Sequence, residues 1–215
     1  MVSGREVHCI VFSSWRTFVD SRIYMVSADG GAPLLLLSGD FFPNDPTWSP
    51  DGKAIAYGGS AVGEEAPFTE IRILDLETRK STGIPESKGL YSPRWSPDGH
   101  FIAAQSGDSK KLFLYHVGSG RWTELHSPPM RRTEYIVGPV WSTDSRYVYA
   151  DKFQFMGGQI YRFHVPDGNP ELVVDSVSSD TVCPVFRWTA CFGLTNPRQP
   201  NHGAERSRLR RVVRA

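Results

Sequence analysis

Apolar residues in this chain come in short runs rather than long periodic stretches. Ile23-Tyr24-Met25-Val26, Ile71-Arg72-Ile73-Leu74, Leu112-Phe113-Leu114-Tyr115 and Ile160-Tyr161-Arg162-Phe163 are β-branched and aromatic segments of strand length. A turn signal follows each within a few residues: Asp29-Gly30-Gly31, Glu77-Thr78-Arg79-Lys80, Gly118-Ser119-Gly120 and Asp167-Gly168-Asn169. Strand, Gly- or Asp-bearing turn, strand is the pattern of a hairpin. It predicts return strands at Pro33–Ser38, Ser81–Pro85, Trp122–His126 and Pro170–Asp175. No stretch keeps apolar residues at i, i+3, i+4 and i+7 for three turns, so helices are expected to be nearly absent.

A second set of landmarks alternates with the first. Trp48-Ser49-Pro50-Asp51-Gly52 recurs letter for letter as Trp95-Ser96-Pro97-Asp98-Gly99 and loosely as Trp141-Ser142-Thr143-Asp144-Ser145, the tryptophans standing 47 and 46 residues apart. Ile55-Ala56-Tyr57, Ile102-Ala103-Ala104 and Val148-Tyr149-Ala150 each begin seven residues after their tryptophan. In Ser-Pro-Asp-Gly, Pro fixes φ early in the turn and Gly is free to take positive φ late. Each unit then reads as four strands, A to D: A ends at the tryptophan, B follows the turn, C is the aromatic run and D is the return. Sequential antiparallel hairpins repeating at about 45 residues mark a propeller blade. The expected fold is all-β, a partial β-propeller of four-stranded antiparallel blades.

Units at about 1–40, 41–87, 88–133 and 134–180 give three and a half to four blades within residues 1–195. Ile10-Val11-Phe12-Ser13-Ser14 matches strand B, whereas Ser3 to His8 lack the tryptophan and the turn, so the chain is expected to enter in mid-blade. Cys183–Thr195 is apolar enough for a strand or two but carries no fifth copy of Trp-Ser-Pro-Asp-Gly. An open row of blades leaves strand edges unpaired, which predicts an oligomeric, sticky or marginally folded chain and missing blades or domains of a larger parent.

Composition narrows this only a little. The 215 residues are 40% hydrophobic and 22% charged, ordinary for a globular protein, and 20 Gly with 16 Pro suit many tight turns. Cys9, Cys183 and Cys191 are too few for a disulfide framework and lack zinc-site spacing. Met1 to Val11 has no apolar run of signal-peptide length, and Leu34–Leu37 is far short of a membrane span, so a soluble chain without membrane contact is expected. The net charge of +1 divides into +5 over Asn196–Ala215 and −4 over the rest. Residues 196–215 read as a basic, disordered tail, and no nucleic-acid contact is expected of the propeller itself.

Pro-Xaa-Trp-Ser-Pro-Asp-Gly-Xaa-Xaa-Ile-Ala, present at Pro46–Ala56 and Pro93–Ala103 and weakened at Pro139–Tyr149, resembles the WD-like repeat of bacterial TolB-type β-propellers. The same repeat occurs in the tricorn protease, in prolyl-oligopeptidase-type propellers, and at the C-terminus of bacterial signalling proteins behind a winged helix or a kinase. The resemblance covers about residues 7 to 175. It implies a six- or seven-bladed parent, hence a fragment or truncated product. It also implies a non-enzymatic interaction or sensory module that binds a protein or peptide, with the gating propeller of a prolyl-oligopeptidase-type peptidase as the alternative. A TolB-like role would place the chain in the periplasm, otherwise in the cytoplasm.

Candidate chemistry is sparse. Asp51, Asp98 and Asp144 recur once per blade, which separates them around a ring and fits turn acceptors better than catalysts or metal ligands. Trp48, Trp95 and Trp141, with Gly52 and Gly99, read likewise as repeat architecture. Gly58-Gly59-Ser60-Ala61-Val62 misses the second Gly of a nucleophile elbow. Six scattered His form no ligand pair. No catalytic residue, metal site or cofactor is assigned. Two connections break the repeat: Ser60–Glu70 between strands B and C of the second unit, and His126–Val137 between D of the third and A of the fourth. B–C and D–A connections leave the same end of a propeller, so Glu64, Glu65, Arg131, Arg132 and Tyr135 are the candidate partner-binding residues.

Overall fold

The computed structural model describes residues 8–17, 20–38, 41–61, 69–154 and 157–177. These contain fifteen strands in four antiparallel sheets and no helix. The first sheet holds β1 (Cys9–Thr17), β2 (Asp20–Ser27) and β3 (Leu34–Leu37), corresponding to strands B, C and D. The second is β4 (Phe41–Trp48), β5 (Ala54–Ala61), β6 (Thr69–Asp75) and β7 (Ser81–Gly83). The third is β8 (Leu90–Trp95), β9 (Phe101–Ser106), β10 (Leu112–His116) and β11 (Arg121–Glu124). The fourth is β12 (Tyr135–Trp141), β13 (Tyr147–Gln154), β14 (Gly157–His164) and β15 (Pro170–Val177). Each four-stranded sheet is a meander in sequence order, A to D.

Sheets stack face to face, which explains why strand B is apolar on both faces. Ile55-Ala56-Tyr57 and Ile102-Ala103-Ala104 are buried along their whole length because a neighbouring sheet covers each side. Ile23, Tyr57 and Leu74 pack between the first and second sheets; Ala56, Ile71, Ile84, Leu90, Ile102 and Ala104 between the second and third. Leu112, Leu114, Ile136, Trp141, Val148 and Phe163 fill the space between the third and fourth. Within the second sheet, the bare Gly59 makes room for the side chain of the adjacent strand, since a Cβ there would stand 2.1 Å from the Phe41 ring.

The three A strands among the described residues carry the same irregularity. Their register slips between Asn44 and Thr47, Tyr91 and Arg94, and Val137 and Val140. The bulged residues are Asp45, Ser92 and Gly138, each just before a proline and each at positive φ (46°, 54° and 64°). Glycine takes that conformation without strain and aspartate more readily than most residues, so it is Ser92 that holds it most against its intrinsic preference.

Strand ends differ slightly from the expectation. β7 and β11 stop at Gly83 and Glu124, because Ile84 and Leu125 turn inward and are buried, their N–H groups bonding to Ile71 O and Leu112 O. Tyr135–Val137 belong to β12 rather than to the preceding connection, since they pair with Phe153, Lys152 and Asp151. Cys183–Thr195 and the tail at 196–215 lie outside the described residues.

Candidate interaction face

The A–B turns of the three complete sheets share one hydrogen-bond pattern. Ser49 Oγ donates to Asp51 Oδ1 (2.6 Å) and accepts the Ala54 N–H (2.9 Å), while Asp51 Oδ1 also accepts the Lys53 N–H (3.1 Å). Ser96, Asp98, His100 and Phe101 repeat it, as do Ser142, Asp144, Arg146 and Tyr147. The Ser49 and Lys53 hydrogen bonds hold the Asp51 carboxyl below the usual range, and those of Ser142 and Arg146 do the same for Asp144. At Asp98 desolvation is the largest influence and pushes upward, but the Ser96 and His100 bonds together outweigh it. Each carboxylate is thus occupied within its own turn. Gly52 and Gly99 close their turns at φ of 69° and 79°; Ser145 does so at 59° and accepts the Asp98 N–H of the neighbouring sheet (3.0 Å).

A fourth copy of this turn lies at the other end of the third sheet, between strands B and C. Ser106 Oγ donates to Asp108 Oδ1 (2.6 Å), which accepts the Lys110 N–H (3.0 Å), and Ser109 takes φ of 56°. No tryptophan marks it, but the Ser-Xaa-Asp spacing was visible in the sequence.

The tryptophans pack at the sheet interfaces. Trp141 stacks on Phe101 (centroids 6.3 Å apart) and its Nε1 donates to Arg94 O of the preceding sheet (2.8 Å). Trp95 Nε1 donates to Gly99 O in its own turn (3.3 Å). Trp48 Nε1 is buried without an acceptor among the described residues. Beside these, the Arg94 guanidinium donates to Pro93 O and stands 3.9 Å from Asp45. Burial lowers its pKa against the opposing pull of Asp45.

The B–C and D–A connections meet at one end of the stack. Lys110, in the B–C turn, extends its Nζ to Arg132 O (2.9 Å) and to Glu134 O, and lies 4.1 Å from the centre of the Tyr135 ring. Glu134 is buried and pairs with Lys152 of β13, whose side chain is mostly covered (3.1 Å), and it also accepts the Arg131 N–H (2.7 Å). The Arg131 bond and then the Lys152 contact hold its carboxyl below the usual range, against desolvation. Gln105 Nε2 reaches Ile136 O (2.7 Å), tying the third sheet to the fourth. The 125–134 connection is therefore clamped from three sides, and Arg131, Arg132 and Tyr135 stand exposed on it. Glu64 and Glu65 lie outside the described residues.

At the rim the two ends of the stack interleave. His126 N donates to Gly168 O (3.0 Å) and its Nδ1 faces Asn169 Oδ1, while Trp122 Nε1 donates to Pro85 O (2.8 Å). Sheet twist carries each outer strand across to the C–D side of its neighbour. Sequence reasoning treated the ends as separate and missed these links, along with Lys110, Glu134 and Lys152.

Four meander sheets stacked in chain order define a partial β-propeller. Its backbone is similar to TolB from Acinetobacter baumannii, with a TM-score of 0.60 and 21% identity over 76% of this chain and 40% of that one. The likeness places the fold with the TolB-type propellers. No protein-family model matches the chain. Among curated proteins it is 31% identical over 110 residues to the uncharacterized peptidase YuxL of Bacillus subtilis, covering 48% of this chain and 16% of that protein. It is 23% identical over 175 residues to dipeptidyl-peptidase 5 of Porphyromonas gingivalis, covering 68% and 25%. The chain thus spans a quarter or less of the length of these relatives. Among the described residues no helix is long and apolar enough to cross a membrane, and no group of three His, Cys, Asp or Glu side chains is placed to hold a metal ion.

Proposed function

We propose that these blades form a non-enzymatic interaction module that holds an extended peptide or a protein loop against the B–C/D–A end. The carrying observation is the clamped 125–134 connection. Lys110 and the Glu134–Lys152 pair fix the backbone, so Arg131, Arg132 and Tyr135 are presented at little cost in ordering entropy. Two guanidinium groups beside an exposed aromatic ring favour an acidic segment with an apolar residue. Panning a random linear peptide library on the protein tests this. Enriched peptides should be acidic and should lose at least tenfold in affinity for an Arg131→Glu/Arg132→Glu/Tyr135→Ala variant. They should bind a Lys53→Glu/Lys80→Glu control at the opposite end unchanged. Equal loss in both variants, or in neither, refutes the assignment.

A second reading draws on the peptidase names of the two curated relatives: the blades serve as the propeller of a prolyl-oligopeptidase-type peptidase whose hydrolase domain belongs to a longer parent. A fluorophosphonate probe applied to the parent protein separates the two. Covalent labelling of a serine outside the blades supports the peptidase reading.

A further inference from the structure

The face of the fourth sheet turned away from the third is built differently from the matching faces of its neighbours. Val148, Ala150 and Phe163 pack toward the third sheet, so Tyr149, Asp151 and Phe153 of β13 point the other way. Among the described residues no further sheet lies on that side.

Strand pairing puts Gly58, Gln105 and Asp151 at one repeat position, opposite Ile71, Leu112 and Ile160. In the second and third sheets this position meets the inner strand of the next sheet. A Cβ on Gly58 would stand 3.4 Å from Ser92 N, and Gln105 Nε2 donates to Ile136 O (2.7 Å). Two residues earlier, the small Ala56 and Ala103 pack against that next sheet, whereas the fourth sheet has Tyr149 in their place. Nor can an ionised Asp151 do what Gln105 does, because a carboxylate accepts hydrogen bonds and donates none. Whatever meets Asp151 has to bring donors.

No donor reaches it among the described residues. Asp151 is 8% exposed and makes no hydrogen bond or ion pair there. Its cross-strand neighbours Val137 and Ile160 are apolar, and the half-buried Tyr149 and Phe153 flank it along β13, each about 7 Å away. Arg162, diagonal to it on β14, is held by Glu171 through two bonds (2.8 and 2.9 Å) and lies 4.8 Å from the centre of the Tyr147 ring. Lys152 points to the opposite face, to Glu134. Burial therefore pushes the carboxyl up to about 6 with no neighbouring charge to oppose it. A desolvated carboxylate without donors is costly, and a fold that keeps one has a use for it.

We propose that this face binds an arginine side chain of a partner peptide, its guanidinium paired with the Asp151 carboxylate and walled by the rings of Tyr149 and Phe153. A guanidinium suits the place better than an ammonium. Its fork serves both carboxylate oxygens, it is the more weakly hydrated cation, and its flat faces stack on aromatic rings. A peptide suits it better than the free amino acid, because Val137, Ile160 and the two rings offer nothing to an α-carboxylate. Exposed Leu172, Val173 and Val174 on the edge strand β15 give apolar contact to residues flanking the arginine. The site shares no residue with the B–C/D–A face and does not depend on it.

The test titrates the full chain, carbon-labelled at the aspartate carboxyls, with N-acetyl-arginine methylamide and reads the resonances by NMR. The Asp151 signal of the unaltered chain should shift saturably. Its own titration should move to lower pH in saturating probe, because the cation favours the ionised form. At neutral pH Asp151→Asn, which removes a buried charge and should fold, ought to weaken binding by about tenfold or more, the worth of a charge-assisted hydrogen bond. N-acetyl-citrulline methylamide, the neutral isostere, should leave the Asp151 signal in place. An Asp151 titration that the probe does not move overturns the proposal whether or not the variant folds. So does equal affinity in Asp151→Asn, or a shift that the citrulline compound reproduces. Tighter binding of free arginine than of the blocked probe would make the ligand an amino acid and overturn the peptide assignment.

Discussion

Lys152→Met is the most direct probe of the clamped connection. The side chains of Glu134 and Lys152 are 8% and 11% exposed, the first buried and the second mostly covered, and they stand 3.1 Å apart. Removing the ammonium leaves a buried carboxylate with only the Arg131 N–H to satisfy it. Breaking a fully buried pair from one side costs about 3–5 kcal/mol; the retained Arg131 bond and the partial exposure of this pair put the case below that range, at about 2–3 kcal/mol. Glu134→Gln should cost less than Glu134→Ala, since the amide oxygen still accepts from Arg131. The double variant Glu134→Gln/Lys152→Met should recover at least about 1 kcal/mol relative to the sum of its parts. Because the folded-state pKa of Glu134 is depressed, its contribution is present above its unfolded pKa and is lost as pH falls through the folded value. The wild-type stability advantage over the double variant should therefore shrink at acid pH. Urea unfolding followed by tryptophan fluorescence reads the stabilities, and hydrogen exchange reads the connection, where amides of residues 125–136 should open first. Wild-type stability for Lys152→Met, or additive losses in the double variant, would show that the pair clamps nothing.

Other substitutions reach different parts of the same construction. Asp98→Ala removes the acceptor for Ser96 Oγ and the His100 N–H and should cost about 1–2 kcal/mol in a urea titration, while Asp98→Asn, which keeps an acceptor, should cost less. At the A-strand bulge, Gly138→Ala should destabilise by about 1 kcal/mol from its φ of 64° alone, as nothing lies within 4 Å of the new Cβ, whereas Ser92→Gly should stabilise by relieving the same strain. Burial pushes the Asp151 carboxyl up to about 6, so this group favours the folded state while protonated and loses that advantage as pH rises through that value. Asp151→Asn should therefore raise the melting temperature at pH 7 and make no gain at pH 4; a gain at both would contradict the assignment.

What the residues determined alone was what is local or repeated. Each Ser-Pro-Asp-Gly turn closes its hydrogen bonds within six residues, from Ser49 to Ala54 or Ser96 to Phe101, so its chemistry can be read from spacing. Strands B and C were legible because being covered on both faces demands a continuous apolar run, and the period of 46 to 47 residues ordered them into stacked units. The proposed interaction face was legible only as an irregularity of length. Tertiary structure decided that Lys110 would reach across 24 residues to the Glu134 carbonyl, that Lys152 would stand beside Glu134 from a neighbouring strand, and that Trp122 would find Pro85 on another sheet. It likewise forced positive φ on Ser92, a residue with little intrinsic reason to adopt it. Those outcomes depend on register between strands and on the twist of whole sheets, and neither is encoded in any one segment.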